Sequence, residues 1–275
     1  MPEDLSASRP MRQYGVIGRA LGLSRLPYKF VGSCRRDGEA RPGTRQIVER
    51  PDEGTRSEQV DLKEVQGELF SAVIGDVMDT MGLLHQFLPP EVQPLDSSMV
   101  LVGYAMPVLE ADCHGTKVAS ENRSAPFGKM FEALDSLRPG EVYVCAGGNG
   151  AYAQWGELMS TRAQALGAAG AVVSGYSRDT NGIQRLKFPT FSRGRYAQDQ
   201  GVRGRVIDYR CPIELSNSTV VEPGDLVFGD IDGVVIVPRG RADEIIEAAL
   251  AKVRGENQVR KAIEDGMSAV EAFET

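Results

Sequence analysis

Residues 141–179, EVYVCAGGNGAYAQWGELMSTRAQALGAAGAVVSGYSRD, constrain the fold of this chain more than any other stretch. An apolar run at 142–146 ends in Gly147-Gly148-Asn149-Gly150, which reads as a buried strand followed by a turn. Residues 157–166 have helical spacing and good helix formers, and Gly167 sits where a C-terminal cap belongs. Residues 170–175 are again strand-like. Strand, helix and strand in so short a span make a crossover unit with parallel strands.

In such a unit the helix starts at the C-terminal edge of the first strand, and the second strand ends at that same edge. Glu157 opens the helix, and Arg178-Asp179 follow the second strand. A ten-residue helix rises about 15 Å and a six-residue strand returns about 20 Å, so these groups are expected to share one crevice. Open α/β sheets usually bind ligands at that edge.

The backbone N–H groups of the turn, including Gly150, and of Leu158 and Met159 at the helix start suit a carboxylate. Arg178 can clamp the same anion, the alternative being a salt bridge that closes the loop. Asp179 is then free to hold a hard cation such as Mg²⁺ or Mn²⁺, which takes one or two carboxylates together with water and substrate oxygens. Residues 148–153 also fit the form G-x-G-x-x-A of a dinucleotide fingerprint. The acid that would bind a ribose is missing from residues 168–175, which disfavours nucleotide binding.

Composition narrows the class. The chain has 275 residues, 41% of them apolar, enough for a substantial core. No run approaches the roughly 18 apolar residues of a membrane span, and a cytoplasmic, membrane-free protein is expected. Four scattered cysteines and two histidines make a zinc site improbable, so any metal should be oxygen-ligated; Cys145 reads as a small buried apolar residue. Residues 1–56 carry 11 basic against 7 acidic side chains, whereas residues 57–275 carry 20 against 31. An acidic body argues against nucleic acid as a partner.

The expected organisation is a poorly ordered extension over residues 1–56 and one folded domain over 57–275. Apolar residues at three- and four-residue steps mark one amphipathic helix from about residue 60 to Gly82, carrying Asp76 and Asp79 as a solvated face or helix cap, the other reading being that Asp79 points at a site on a neighbouring subunit. A strand over 99–108 should lead into a polar loop at 110–124, followed by a helix at 127–137. Residues 180–195 read as loop with a short apolar edge, Phe188-Pro189-Thr190-Phe191. Short strands are expected at 206–209, 213–215 and 226–228, with Asp232-Gly233 as a hairpin turn and a closing helix over 242–263.

The segments WGELMSTRAQALGAAGAVVSGYSRD and PGDLVFGDIDGVVIVP resemble the RraA-like family, which includes the class II 4-hydroxy-4-methyl-2-oxoglutarate / 4-carboxy-4-hydroxy-2-oxoadipate aldolases. The likeness extends over about residues 62–264. It implies a compact, layered α/β/β/α sandwich assembled as a homotrimer or dimer of trimers, with sites at subunit interfaces. It also implies that Asp179 ligates a divalent metal, that Arg178 orients the pyruvyl part of a 2-oxo acid, and that the Leu158 and Met159 amides hold its carboxylate. Glu157 stands where the aldolases tend to have Asp, and it can hold a metal-bound water. Asp79, and more weakly Glu256, resemble acids sent from a neighbouring subunit.

The implied activity is a retro-aldol lyase releasing pyruvate, with oxaloacetate decarboxylation as a related reaction. The other function the resemblance offers is a non-catalytic regulator that binds a protein such as a ribonuclease.

Overall fold

The computed structural model describes residues 61–113 and 127–273. The extension expected over residues 1–56 lies outside them, as does most of the loop expected over 110–124. In chain order the elements are α1 (Leu62–Glu68), α2 (Ser71–Thr80), β1 (Gln93–Pro94), β2 (Leu101–Asp112), α3 (Met130–Asp135), β3 (Glu141–Gly147), β4 (Ala153–Trp155), α4 (Glu157–Ala165), β5 (Gly170–Val173), β6 (Tyr176–Ser177) and α5 (Thr180–Leu186). They continue with β7 (Thr190–Ser192), β8 (Gly204–Tyr209), β9 (Ile213–Glu214), β10 (Val220–Val221), β11 (Leu226–Asp230), β12 (Gly233–Val237), a 3-10 turn at Arg239–Arg241, α6 (Ala242–Glu264) and α7 (Ala269–Phe273).

The main sheet is mixed, in the order β1-β7-β5-β3-β2-β11-β12, with β8 also paired to β2. Strand β2 is long enough to serve three neighbours. It pairs in parallel with β3 from Tyr104 to Glu110, while its first residues pair with β11 and its last with β8, both antiparallel. The two ends of the sheet nearly meet: Leu88 donates to the Val234 carbonyl at 2.9 Å and Ile236 to that of Gln86 at 2.8 Å, while Gln93 and Pro94, just downstream, pair with β7. The result is an almost closed, barrel-like sheet within a layered α/β fold.

Alternation along the last hairpin separates two cores. Val227, Val234 and Ile236 face a core shared with α3, α4 and α5. Leu226, Phe228, Val235 and Val237 face a second core, built with α1, α2 and α6. Successive strand side chains point to opposite faces, so a run buried at every position must be covered on both. Among the described residues no helix is long and apolar enough to cross a membrane.

Three local expectations are corrected. The single helix over 60–82 is two, because Leu69 and Phe70 are extended. The break is fixed from a distance: Asp230 accepts both the backbone N–H and the hydroxyl of Ser71, each at 2.7 Å, so a carboxylate on β11 caps the start of α2. The polar run after residue 109 is not loop as far as Asp112, because β8 pairs with β2 there and pulls Glu110 and Asp112 into the sheet. Residues 180–195 contain α5 and β7, whose apolar side chains Ile183 and Phe191 are fully buried. With so few apolar residues in each, neither element shows a sequence period.

Candidate active site

The crossover unit forms as expected, with β3 and β5 adjacent and parallel. A second, two-stranded sheet extends it: β4 runs parallel to β6, with Trp155 opposite Ser177. The Arg178 N–H donates to the Trp155 carbonyl at 3.0 Å, which sets the Arg-Asp pair beside the start of α4. The buried Trp155 ring packs against Tyr143 and Phe188 with centroids 4.9 and 6.1 Å away. Its indole N–H donates to the Ser160 hydroxyl at 2.7 Å, and that hydroxyl donates to the Gly156 carbonyl at 3.1 Å. The first turn of α4 is thereby locked to the core.

Gly156 occupies the N-cap of α4 with an extended backbone and no side chain. A methyl group there would stand 3.0 Å from Asp179 Oδ2 and 3.6 Å from Arg178 Cγ, so glycine is what allows the carboxylate to approach the helix start. The first-turn N–H groups, among them those of Leu158 and Met159, have no partner within the helix. Glu157 lies over Gly182 of α5, where a methyl group would fall 2.3 Å from Glu157 Cγ, and it lines a depression together with Asp179, Thr180 and Arg185.

Asp179 adopts a left-handed backbone, φ 57° and ψ 33°, at the N-cap of α5, yet its carboxylate makes no capping hydrogen bond. That conformation is uncommon for a non-glycine residue, though Asp tolerates it better than most. The side chain is half exposed, and its nearest cation is Arg178, whose Nε is 3.8 Å from Oδ2. Arg178 Nη2 also lies 3.4 Å from Asp199 Oδ1. Arg178, Asp179, Asp199, Gln154 and Gln200 thus form the polar side of a cleft of about 170 Å³. The apolar part of its lining comes from Phe127, Met130, Phe131, Trp155, Leu158 and Met159.

The structure therefore brings Arg178, Asp179, Leu158 and Met159 to one cleft and Glu157 to its flank. It does not bring Gly150 there. The glycine turn lines a separate cavity of about 430 Å³ with Ser174, Arg193 and Glu214. The Asn149 N–H within the turn donates to both Asp112 carboxylate oxygens, at 3.0 and 2.9 Å. The anion held by this turn is the chain's own, which fits an architectural role better than substrate binding.

Asp79 and Glu256 are also away from the cleft in the single chain. Asp79 is exposed on α2, whose buried residues join the second core. Glu256 lies 3.7 Å from Lys252 one turn earlier on α6, and Lys252 also bonds Asp76 at 2.5 Å, which ties α2 to α6. Sequence reading missed Asp199, Gln200 and the aromatic pair Phe127–Phe131. The pair's four-residue helical spacing was a signal; Asp199 sits in a polar stretch without one.

Gln154 of the cleft lining also neighbours a buried acid. Glu110 is 2% exposed; Oε2 accepts from the Cys145 thiol at 3.5 Å, and Oε1 has no partner at hydrogen-bonding geometry among the described residues. Burial pushes the Glu110 carboxyl up to about 7, with the nearby Asp112 adding to the rise and the polar groups of Cys145, Tyr152 and Gln154 opposing it. Burial and the neighbouring Glu110 likewise raise the Cys145 thiol.

Asp179 and Asp199 line the cleft and Glu157 its flank, Asp199 already facing Arg178 at 3.4 Å, and no cluster of three or more His, Cys, Asp or Glu side chains able to hold a metal exists among the described residues. A protein cage for Zn²⁺ or Ca²⁺ is not present there. A hydrated Mg²⁺ or Mn²⁺, which needs only one or two carboxylates, fits the donors available.

Residues 71–236 match the RraA-like family, described as Aldolase/RraA. A protein of Halalkalibacterium halodurans named "Putative 4-hydroxy-4-methyl-2-oxoglutarate aldolase" is 32% identical over 201 residues, covering 73% of this chain and 87% of that one. The crystal structure of an uncharacterized protein from Pseudomonas syringae pv. tomato superposes with a TM-score of 0.66 at 26% identity, over 77% of this chain and 92% of that one. The Streptomyces coelicolor protein RraAS2, described as an unusual member of the RNase ES inhibitor RraA protein family, shares the fold with a TM-score of 0.62 at 22% identity, over 72% of this chain and 94% of that one. From its sequence match and its fold together, the chain belongs to the RraA-like family.

Proposed function

We propose that this protein is a divalent-metal-dependent carbon–carbon lyase that cleaves a 4-hydroxy-2-oxo acid and releases pyruvate. The observation that carries the reading is the meeting, in one cleft, of the Arg178 guanidinium, the uncapped Asp179 carboxylate and the first-turn N–H groups of α4. The relative named as an aldolase supports the same chemistry. Asp179, with Glu157 beside it, would hold Mg²⁺ or Mn²⁺, which when bound supplies Lewis-acid stabilisation of negative charge developing on the 2-oxo group.

The protein's own groups divide the remaining work. The Leu158 and Met159 N–H groups and Arg178 hold the substrate carboxylate and fix its orientation. Cleavage removes the proton from the C4 hydroxyl, turns C4 into a carbonyl, breaks the C3–C4 bond and leaves its electron pair on the pyruvyl fragment as an enolate. Protonation of C3 then gives pyruvate. Glu157, on the flank of the cleft, would serve these proton transfers through water. Loss of CO₂ from oxaloacetate yields the same enolate and is proposed as a side activity. Asp79 is left as a group that only a neighbouring copy in a trimeric assembly would bring to the cleft.

The test is pyruvate formation from 4-hydroxy-4-methyl-2-oxoglutarate, 4-carboxy-4-hydroxy-2-oxoadipate and oxaloacetate, with Mg²⁺ or Mn²⁺ and again with a chelator. Metal-dependent release is expected; release indifferent to chelation would contradict the metal role.

A further inference from the structure

Two carboxylates and one phenol meet behind the glycine turn. Glu110 and Asp112 are two residues apart on β2 and so face the same side of the sheet. The Tyr152 hydroxyl stands between them: it donates to Asp112 Oδ1 at 3.1 Å, and a methyl group on Gly204 would fall onto both that hydroxyl and Glu110 Oε1. Asp112 in turn accepts the Asn149 N–H on both carboxylate oxygens. A chain of polar contacts thus runs from a buried acid to the turn.

We propose that Glu110, Tyr152 and Asp112 form a proton-operated latch on the glycine turn: with a proton on Glu110 the turn is tied to β2 through Asp112, and loss of that proton releases residues 148–150. A neutral Glu110 can donate to the Tyr152 oxygen while the phenol proton stays on Asp112. An ionised Glu110 only accepts, and Tyr152 has one proton for two carboxylates. Glu110 is buried, and the Cys145 thiol already donates to Oε2, so Oε1 is left to take the phenol proton's bond. Asp112 is partly exposed and can turn to water, which drops the Asn149 N–H, and repulsion between the two charges drives it the same way.

The groups facing Glu110 set where the latch works. They are the Cys145 thiol and Tyr143 hydroxyl from β3, Tyr152 and Gln154 from the segment after the turn, and Asp112 from its own strand, with no cation among the described residues. Arg205 of β8 is opposite Ala111 and so belongs to the other face. Burial, more than Asp112, raises the Glu110 carboxyl to about 7, so its proton leaves near neutral pH. Burial and the neighbouring Glu110 keep the Cys145 and Tyr152 protons in place. The released turn is one wall of the cavity of about 430 Å³ that Ser174, Arg193 and Glu214 also line, so the latch sets the shape of that cavity.

Deuterium uptake by the full chain, at labelling times of seconds and corrected for the intrinsic pH dependence of exchange, tests the latch. From about pH 5.5 to about pH 8, protection of residues 148–151 in the wild type should fall at least about tenfold, while β11 and β12 stay unexchanged. Glu110→Gln, whose amide can still donate to Tyr152, should hold the turn at both pH values, with a change below about threefold. Tyr152→Phe, which removes the shared hydroxyl, should lower protection at the acid pH to near the wild-type value at the alkaline one. Wild-type protection that ignores pH, or a fall of the same size in Glu110→Gln, would overturn the latch. So would wild-type protection of the turn in Tyr152→Phe at the acid pH, a check that stands even where Glu110→Gln does not fold. Uptake that rises equally in β11 and β12 would assign the effect to the whole fold and overturn it as well.

Discussion

The Asp179 carboxylate passes so close to Gly156 that a single added methyl group would stand 3.0 Å from its Oδ2. The start of α4 and the Arg-Asp pair are therefore one unit, held by the Trp155–Arg178 backbone bond and by the absence of a side chain at the helix cap.

Gly156→Ala should damage the site more than the fold. Its extended backbone, φ −157°, is open to any residue, so the cost is confined to the contact with Asp179 and Arg178. The expected result is a drop in kcat/KM of about tenfold or more through misplaced groups, with a stability loss of about 1 kcal/mol. Steady-state kinetics and urea unfolding together check it; wild-type kinetics would show that the close approach is immaterial.

Glu110 predicts a pH-dependent stability. Its carboxyl is raised from 4.5 to about 7 in the folded protein, so the native state holds a proton that the unfolded state has released. There is no penalty below about pH 4.5; the cost grows as pH rises from there to about 7 and is complete above it, at about 3 kcal/mol for a shift of this size. Glu110→Gln removes the titration. It should match wild type near pH 5 and exceed it by up to about 3 kcal/mol at pH 8; an equal difference at both values in urea unfolding would contradict the assignment.

Ser71→Ala should lose the hydroxyl bond to Asp230 while keeping the backbone one. Both side chains are buried, and the bond is charge-assisted, so a loss of about 1.5–3 kcal/mol is expected by thermal or chemical unfolding. A change under about 0.5 kcal/mol would mean that the remote cap contributes little.

How much of this was legible in the sequence depended on whether the signal was local. The crossover unit and the 232–233 hairpin follow from short-range periodicity and turn residues, and the hairpin appears with Asp230 opposite Gly233. The break at Leu69–Phe70 is caused by Asp230, distant in sequence, and no local pattern announces it. Glu110 and Asp112 look like loop residues because a charged side chain on a central strand is recognisable only once β8 and the glycine turn have closed over it. The glycine turn itself was legible as a turn, but its use was not: nothing in residues 147–150 says that Asp112 fills the role expected of a substrate anion. Arg178, Asp179, Leu158 and Met159 converge because each sits at an element end fixed by the crossover geometry, whereas Asp199 arrives from an aperiodic segment.

The most direct measurement of the central claim is pyruvate release by Asp179→Asn beside wild type, in saturating Mn²⁺ and with a 4-hydroxy-2-oxo acid that the wild-type protein cleaves. The substitution keeps the shape of the side chain and removes its charge. The account predicts turnover reduced by at least about a thousandfold, with loss of Mn²⁺ binding by calorimetry and a thermal midpoint within a few degrees of wild type. Wild-type turnover in Asp179→Asn would contradict it.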